Sequence, residues 1–287
     1  MAPILLRTQN IMALELNSWR ARHETLALVP TMGALHQGHL ALVEAAKSVA
    51  DRVVVSIFVN PLQFGPTEDL ARYPRDLDQD LIVLNQQGLT DAVFVPDVSE
   101  MYPNGHSQTQ VVVPAMAEVL CGQTRPTHFA GVTTVVAKLL NIVRPDWAVF
   151  GEKDAQQLAI VKQMVRDLNF PVEIFGVPTI REPSGLALSS RNRYLSSTEK
   201  AQAAHIYQAL LSVQQEFLRG QHDPRYLEHQ VRAQLEEVGL IPEYVSIVDQ
   251  NSLAPIQDEI DTPATLAIAC PVGAARLIDN ILLETGS

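Results

Sequence analysis

The chain has 287 residues, a hydrophobic content of 47% and a formal net charge of −11 at pH 7. This length can bury a large core and favours two domains. No stretch approaches the roughly 18 apolar residues of a membrane-spanning helix, and the amino terminus lacks the apolar segment of a signal peptide. The acidic balance disfavours nucleic acids and anionic membranes, so we expect neither as a partner.

The two cysteines, Cys121 and Cys270, stand far apart in the sequence and outside any nucleophile or zinc motif. Their placement argues against a disulfide framework and is typical of a reducing compartment. We therefore expect a cytoplasmic protein in which both thiols act as small apolar core residues.

Short apolar runs alternate with helical patterns through the first two-thirds of the chain. This alternation predicts an α/β fold, with a Rossmann-like parallel sheet and helices on both of its faces. The predicted strands cover 26–30, 53–59, 92–96, 147–150 and 172–177, and the predicted helices cover 40–50, 69–87, 129–143 and 155–168. Ligands of such sheets bind beyond the carboxyl ends of the strands.

The pattern changes at a loop near residue 180. Ser196 and Glu199 have the spacing of a capping box, which predicts a long helix that ends near Leu218. A second helix over 224–238 and β-rich runs at 244–248, 265–269 and 275–283 follow. We predict a nucleotide- and substrate-binding domain over 1–180 and a smaller α+β domain over 181–287 that closes over the site.

The segment from Thr31 to His39 lies between the first of these strands and a helix. A glycine-containing turn at a helix start forms an anion site, because backbone N–H groups and the helix dipole point at it. His36 and His39 share one face of that helix start, and Gly38 leaves room for a ligand. This arrangement suits ATP phosphates. The two histidines could also be metal ligands, although no third ligand stands nearby in a metal pattern, or they could be purely structural.

Two amide side chains, Asn60 and Gln63, follow the second predicted strand beside apolar residues. Their donors and acceptors suit a small hydroxy acid with an apolar body. The same segment is also explained as a turn, because it contains Asn-Pro and Phe-Gly pairs.

A third polar segment follows the strand at 147–150. Gly151 allows close approach of the backbone, and Lys153 supplies a compact positive charge for phosphate. Asp154 is a good N-cap for the next helix, which by itself could explain its presence. Gln157 falls three residues later, on the same helix face.

A fourth polar segment contains Ser189, Ser190 and Arg191. Two hydroxyls beside a guanidinium on a loop can bind a triphosphate. A solvent-exposed loop of this composition is the alternative.

Together these segments resemble the pantothenate synthetases, also called pantoate–beta-alanine ligases. The resemblance covers about residues 30–195, and the chain length and C-terminal layout fit as well. Leu188 stands where the family often has Met, which is a conservative difference. The motifs are Pro-Thr-Met-Gly-x-x-His-x-Gly-His at 30–39, Phe-Val-Asn-Pro-x-Gln-Phe at 58–64, Tyr-Pro-Arg at 73–75, Arg-Pro-x-His-Phe-x-Gly-Val at 125–132, Phe-Gly-Glu-Lys-Asp-x-Gln-Gln at 150–157 and Ser-Ser-Arg-Asn at 189–192.

The resemblance implies a two-step ligation in a nucleotidylyltransferase-like Rossmann fold. The carboxylate of (R)-pantoate attacks the α-phosphorus of ATP to give pantoyl adenylate and pyrophosphate. The amine of β-alanine then displaces AMP to give pantothenate. The resemblance also implies Mg²⁺ that enters with ATP, and a homodimer.

The resemblance assigns roles to residues by their motif positions. It implies that His39 is the main catalytic residue, assisted by His36 and Lys153. Asp80 is a candidate for an outer contact to Mg²⁺, and no protein residue is expected to bind a metal directly. The implied pantoate-binding residues are Asn60, Gln63 and Gln157, with Gln63 also at the β-alanine path. The implied ATP-binding residues are Thr31, Met32, Gly33, Ala34, Leu35, His36, Gln37, Gly38, His39, Gly151, Glu152, Lys153, Asp154, Ile180, Leu188, Ser189, Ser190 and Arg191.

Two other functions stay open at this point. Another nucleotidyltransferase of the same fold would need a basic acceptor pocket near Asn60 and Gln63, and the sequence shows none there. A non-catalytic adenine-nucleotide-binding protein would not need His36, His39 and Lys153 together.

Overall fold

The computed structural model describes residues 2–66, 68–105 and 107–284. The chain forms two compact units, each described by itself below. The sheet unit consists of Met1–Ala117, Arg125–Glu152 and Ile160–Pro178. The C-terminal unit consists of Thr179–Ser287 together with two shorter pieces from earlier in the chain, Glu118–Thr124 and Lys153–Ala159.

The sheet unit contains a six-stranded, fully parallel sheet, which confirms the predicted fold class. The strand order is β1-β4-β3-β2-β5-β6. All five predicted strands are present, with ends shifted by up to two residues. The strands are β1 (Ile4–Leu6), β2 (Leu26–Thr31), β3 (Arg52–Ile57), β4 (Ala92–Phe94), β5 (Trp147–Gly151) and β6 (Glu173–Val177).

The helices up to residue 167 connect these strands. Short 3₁₀ turns at Pro61–Gln63, Asp69–Ala71 and Glu152–Asp154 lie among them. The α-helices are α1 (Gln9–Arg20), α2 (Gln37–Val49), α3 (Leu77–Gln87), α4 (Val98–Met101), α5 (Pro114–Ala117), α6 (Cys121–Thr124), α7 (His128–Val143) and α8 (Ala155–Asp167).

Both faces of the sheet are covered. Successive residues of β2 point to opposite faces, and Leu26, Ala27, Leu28 and Val29 are each at most 1% exposed. Helix α2 packs against β2, β3 and β5, whereas α7 contacts β2 and α1. Burial on both sides explains why these strands are continuous apolar runs in the sequence.

The amino-terminal elements β1 and α1 lie outside the predicted set. Thr8 caps α1, since its side chain accepts a hydrogen bond from the Ile11 N–H, and Met12, Leu16 and Trp19 are buried. Those three apolar residues follow the i, i+4, i+7 spacing of an amphipathic helix. The signal for α1 was therefore present in the sequence.

The predicted helix over 69–87 is wrong in its first third. A 3₁₀ turn ends at Ala71, and α3 begins at Leu77 after its N-cap Asp76, whose side chain accepts from the Gln79 N–H. Pro74 explains the break, because it lacks a backbone donor and restricts the residue before it to extended conformations.

Over residues 179–284, the C-terminal unit contains two α-helices and a three-stranded antiparallel sheet of order β7-β8-β9. The predicted capping box is present, with the Ser196 and Glu199 side chains each accepting from the other's backbone N–H. Buried residues of both helices and all three strands form one apolar cluster. The elements are α9 (Ser197–Leu218), α10 (Pro224–Glu237), β7 (Tyr244–Asp249), β8 (Ala264–Val272) and β9 (Ala275–Leu283).

Both thiols are buried and unpaired. Cys270 belongs to the apolar cluster of the C-terminal unit, as expected. Cys121 has polar neighbours, since its Sγ lies 3.1 Å from the Tyr244 hydroxyl and 3.4 Å from Arg276 Nη1. The expectation of a purely apolar setting is therefore wrong for Cys121. Within the described ranges, no helix is both long and apolar enough to cross a membrane.

Candidate functional site

The turn after β2 lies where ligands bind in parallel sheets of this kind. The chain proceeds from β2 to β3 and β4 on one side, whereas β5 and β6 lie on the other side of β2. Crevices at such a switch point open beyond the carboxyl ends of the strands. The segment Thr31–His39 begins there.

The two histidines of this segment close the start of α2. His36 Nδ1 accepts a hydrogen bond from the Gly38 N–H (3.2 Å), and His39 Nδ1 accepts one from the His36 N–H (3.3 Å). A backbone N–H can only donate, so Nδ1 carries no proton in either ring and Nε2 carries it instead. The ring centroids lie 4.1 Å apart. The two side chains therefore form a pair of Nε2–H donors, which suits phosphate oxygens.

The backbone of the turn is bound by a carboxylate of the protein. Asp80 is 3% exposed, and its two oxygens accept hydrogen bonds from the Ala34 N–H (2.9 Å) and the Leu35 N–H (2.7 Å). The Gly33 N–H donates to Thr31 Oγ1 (3.2 Å). The N–H groups of Gly33, Ala34 and Leu35 therefore bind within the protein. The expected outer contact of Asp80 to Mg²⁺ stays a prediction.

Gly33 is required by this arrangement. Its φ of +80° is a conformation that residues with a side chain rarely adopt. A Cβ at this position would also lie 2.9 Å from Asp80 Oδ2. The carboxylate and the glycine together set the path of the backbone into α2.

The Asn60 amide is fully used within the protein. Its Nδ2 donates to Gln63 Oε1 (3.2 Å) and to the Gly131 carbonyl (3.0 Å), and its Oδ1 accepts from the Leu62 N–H (3.3 Å) and the Tyr102 hydroxyl (2.9 Å). Burial raises the pKa of Tyr102 to about 12, so this hydroxyl keeps its proton and donates. Asn60 is 1% exposed. Asn60 therefore orients Gln63 through a buried hydrogen bond, and its expected contact with pantoate stays a prediction.

The backbone partners of Asn60 determine which end of the Gln63 amide faces outward. A carbonyl only accepts and an N–H only donates, so Gly131 and Leu62 fix the orientation of the Asn60 amide. Gln63 must then present Oε1 to Asn60. Its Nε2 points the other way and lies 3.1 Å from Met32 Sδ, a weak acceptor. The end of the Gln63 amide that points away from Asn60 is a donor.

The motif at 125–132 supports the Gln63 segment from α7. Arg125 forms a two-pronged ion pair with Glu68, at 2.6 and 2.8 Å, and Arg125 Nη2 also donates to the Gln63 carbonyl (3.4 Å). His128 Nδ1 donates to the same carbonyl (2.8 Å). A Cβ on Gly131 would overlap the backbone at Gln63. The sequence showed this motif without indicating its partner.

In the C-terminal unit, two of the expected phosphate-binding segments meet. Lys153 and Ser189 line one pocket, together with Ala187, Ile206 and Ile278. Ser189 Oγ also accepts a hydrogen bond from the Arg191 N–H (3.3 Å) and thereby caps the start of the 3₁₀ turn Ser190–Tyr194.

A small hairpin brings Ile180 beside the Leu188 segment. The Leu188 N–H donates to the Ile180 carbonyl (2.9 Å), and Arg181 pairs with Ala187 in an antiparallel bridge. Gly185 forms the tip with a φ of +93°. Ile180 and Leu188 are therefore neighbours in the structure.

The expected site residues are divided between the two units. The sheet unit contains Thr31–His39, Asn60, Gln63, Gly151 and Glu152, and the C-terminal unit contains Lys153, Asp154, Gln157, Ile180 and Leu188–Arg191. Glu152 and Asp154 are exposed, and Gln157 on α8 is half-buried.

The next question is whether side chains of the described residues could hold a metal ion. Within the described parts of the chain, no group of three or more His, Cys, Asp or Glu side chains could hold one. Mg²⁺ usually keeps several waters and binds substrate phosphates, so these residues are consistent with an ion that arrives on a nucleotide.

The parallel sheet, with its switch point and its histidine-bearing turn, places the chain among the Rossmann-like nucleotide-binding proteins. Residues 4–282 match the family model of the pantoate-beta-alanine ligases. The chain belongs to this family of AMP-forming ligases.

Individual relatives agree with this assignment. The chain is 52% identical over 268 residues to the pantothenate synthetase of Methylococcus capsulatus, covering 93% of each chain. It is 50% identical to that of Alkalilimnicola ehrlichii, covering 98% of this chain and 97% of the relative.

Solved structures are similar over nearly the whole chain. Pantothenate synthetase from Thermus thermophilus has a TM-score of 0.88 and 45% identity, with 97% of this chain and 98% of that chain covered. The pantoate-beta-alanine ligase of Francisella tularensis, in complex with beta-gamma ATP and beta-alanine, has a TM-score of 0.81 and 36% identity, with 99% of each covered.

The carboxylate under the turn leads to a stability prediction. In Asp80→Asn the amide can accept at only one of its two ends, so either Ala34 or Leu35 keeps a buried N–H without a partner. We expect the free energy of unfolding to fall by about 1–3 kcal/mol. Urea denaturation measures it, with Asp78→Asn as the control, because Asp78 is exposed on the same helix. Equal unfolding free energies for the two variants would contradict the assignment.

Proposed function

We propose that this chain condenses (R)-pantoate with β-alanine at the expense of ATP, through pantoyl adenylate, and releases pyrophosphate and AMP. Its membership of the pantoate–beta-alanine ligases supports the overall reaction. The observation that carries the proposed first step is the pair of Nε2–H donors at the start of α2, where the fold class binds nucleotide phosphates.

The chemistry explains why such a site needs donors more than a nucleophile of its own. A carboxylate is a poor acyl donor, whereas AMP is a far better leaving group than oxide. The protein has to align the pantoate carboxylate with the α-phosphorus and stabilise the charge that develops on the phosphates. We assign that stabilisation to His39, assisted by His36, with Thr31–His39 beside the nucleotide.

We propose that Gln63 and Gln157 bind pantoate. The Nε2 end of Gln63 is a donor, and donors suit the carboxylate and hydroxyl oxygens of a hydroxy acid. Asn60 fixes that end, and Gln63 also borders the path of β-alanine.

We propose that further nucleotide contacts come from two other segments. Lys153 and the stretch Leu188–Arg191 bind phosphates, and their proximity supports this assignment, since Lys153 and Ser189 line one small cavity of about 10 Å³. Gly151–Asp154 and the backbone of Ile180 bind the rest of the nucleotide.

Mg²⁺ is proposed to enter with ATP, held by phosphate oxygens and water. We also propose a cytoplasmic homodimer. The unpaired thiols are consistent with a reducing compartment, and the dimer follows from the family resemblance.

Pyrophosphate release tests the proposed reaction. With ATP and pantoate alone we expect a single burst close to one pyrophosphate per active site, because the adenylate stays bound. Added β-alanine should make the release continuous, with pantothenate and AMP as products. Another nucleotidyltransferase, or a nucleotide-binding protein without activity, would release no pyrophosphate that depends on pantoate.

His39 gives the first residue-level prediction. Replacing His39 by Ala should slow adenylate formation by roughly 10²–10³-fold, because it removes a donor to the phosphates. Two further variants separate the donor from the cap of α2. His39→Asn can keep an acceptor at the position of Nδ1 but has no Nε2–H, whereas His39→Gln can place a donor near Nε2. We expect Gln to retain more activity than Asn, and the reverse order would contradict the assignment.

Lys153 is predicted to act in the chemical step as well as in binding. Lys153→Ala should lower kcat and raise KM for ATP, if its contact strengthens in the transition state. Lys162→Ala, an exposed lysine on α8, is the matched control. A change in KM alone would mean that Lys153 binds ATP equally well in the ground state and the transition state, and would contradict its role in the chemical step.

The two glutamines should affect pantoate and not ATP. Gln63→Glu replaces the outward donor by an acceptor, and Gln157→Ala removes an amide, so each should raise KM for pantoate strongly. A ligand group left without its partner costs about 1–3 kcal/mol. Calorimetric titration of ATP without pantoate should show little change, as for the exposed control Gln79→Ala. A large loss of ATP affinity would place the acid pocket elsewhere.

A further inference from the structure

Two adjacent residues of β9 hold two different segments of the C-terminal unit. Asp279 is 5% exposed and binds the guanidinium of Arg181 through both oxygens, at 2.6 and 2.8 Å. The next residue, Asn280, donates from Nδ2 to the Lys153 carbonyl (3.0 Å). One strand therefore fixes the backbone at Lys153 and the start of the hairpin that leads to Ser189.

The Arg181 side chain is fixed on several sides. Its guanidinium lies 3.5 Å from the centroid of the Tyr207 ring and also donates to the Gly185 carbonyl (3.1 Å). A Cβ on Gly185 would lie 2.9 Å from the same ring. A planar guanidinium that makes a bidentate bond and stacks on a ring has little freedom, so the hairpin is held rigidly against α9 and β9.

The segments held by Asn280 and by Asp279 meet at the pocket that Lys153 and Ser189 line. Asp279 itself lines that pocket. A buried carboxylate beside bound phosphates would repel them, and Arg181 neutralises that charge. The ion pair thus has both a geometric and an electrostatic consequence for a triphosphate.

We propose that Asp279 and Asn280 are positioning residues that set the spacing of Lys153 and Ser189 for the β- and γ-phosphates of ATP. This inference rests on the proposed function. In this proposal neither residue touches substrate. Asn280 acts through the backbone at Lys153, and Asp279 acts through its ion pair with Arg181. Their loss should impair only steps and ligands that involve the β- and γ-phosphates.

The discriminating measurement compares ATP with AMP, which lacks those phosphates. Asn280→Ala should weaken ATP binding by about tenfold or more while AMP binding changes little, since small displacements of phosphate contacts are costly. Arg181→Met should have the largest effect, because it leaves Asp279 charged and unpaired in the pocket. The double variant Arg181→Met with Asp279→Asn should recover part of that loss.

Half-reactions give the second readout. Pyrophosphate release from ATP and pantoate should slow in these variants, whereas pantothenate formation from supplied pantoyl adenylate and β-alanine should persist. Glu243→Gln is the matched control, because it breaks another ion pair of β9, with Arg276 (2.8 Å), and neither partner lines the pocket of Lys153 and Ser189. It should leave the ATP-to-AMP affinity ratio unchanged.

Equal losses of ATP and AMP affinity, or no loss of either, would overturn the proposal. So would a worse double variant than Arg181→Met alone. Failure of the wild-type protein to release pyrophosphate from ATP and pantoate would instead contradict the proposed reaction, and the ratio of ATP to AMP affinity would still decide the role of β9.

Discussion

The two hydrogen bonds from the backbone of Ala34 and Leu35 to Asp80 are the constraint on which the candidate site depends. They hold the turn after β2, where Gly33 has a φ of +80° that residues with a side chain rarely adopt. The start of α2 follows directly, so the positions of both histidine rings are set by a carboxylate that stands more than 40 residues later in the chain. A buried carboxylate is stable there because it accepts bonds from two backbone donors.

In the other polar segments, too, one side chain orients a neighbouring group through hydrogen bonds. The Asn60 amide makes its four hydrogen bonds within the protein. Because one of them goes to Gln63 Oε1, the donor end of the Gln63 amide points away from Asn60. Arg181 plays a comparable part for the hairpin before Ser189. In each case one polar side chain fixes the orientation of a segment that is proposed to contact a ligand. Orientation by neighbouring groups is what converts flexible polar residues into preorganised donors.

Most of the fold could be predicted from local patterns. Apolar runs and helical spacing predicted the parallel strands, and Ser196 with Glu199 predicted the start of α9 within one turn. The errors were local as well, since Pro74 inside the supposed helix over 69–87 and the spacing of Met12, Leu16 and Trp19 were visible in the sequence. These features depend on residues within a few positions of one another, which is the range in which periodicity and capping act.

By itself the sequence determined which segments carry polar chemistry and at which ends of strands they stand, because motif spacing and strand pattern are properties of short stretches. It indicated the histidine pair, the glutamines and Lys153, but it did not reveal that Asp80, Tyr102 or Asp279 orient other residues. Only the tertiary structure decided those partnerships. A hydrogen bond between residues 40 to 100 positions apart requires the chain to have folded, and no local pattern encodes which acceptor a given donor will meet.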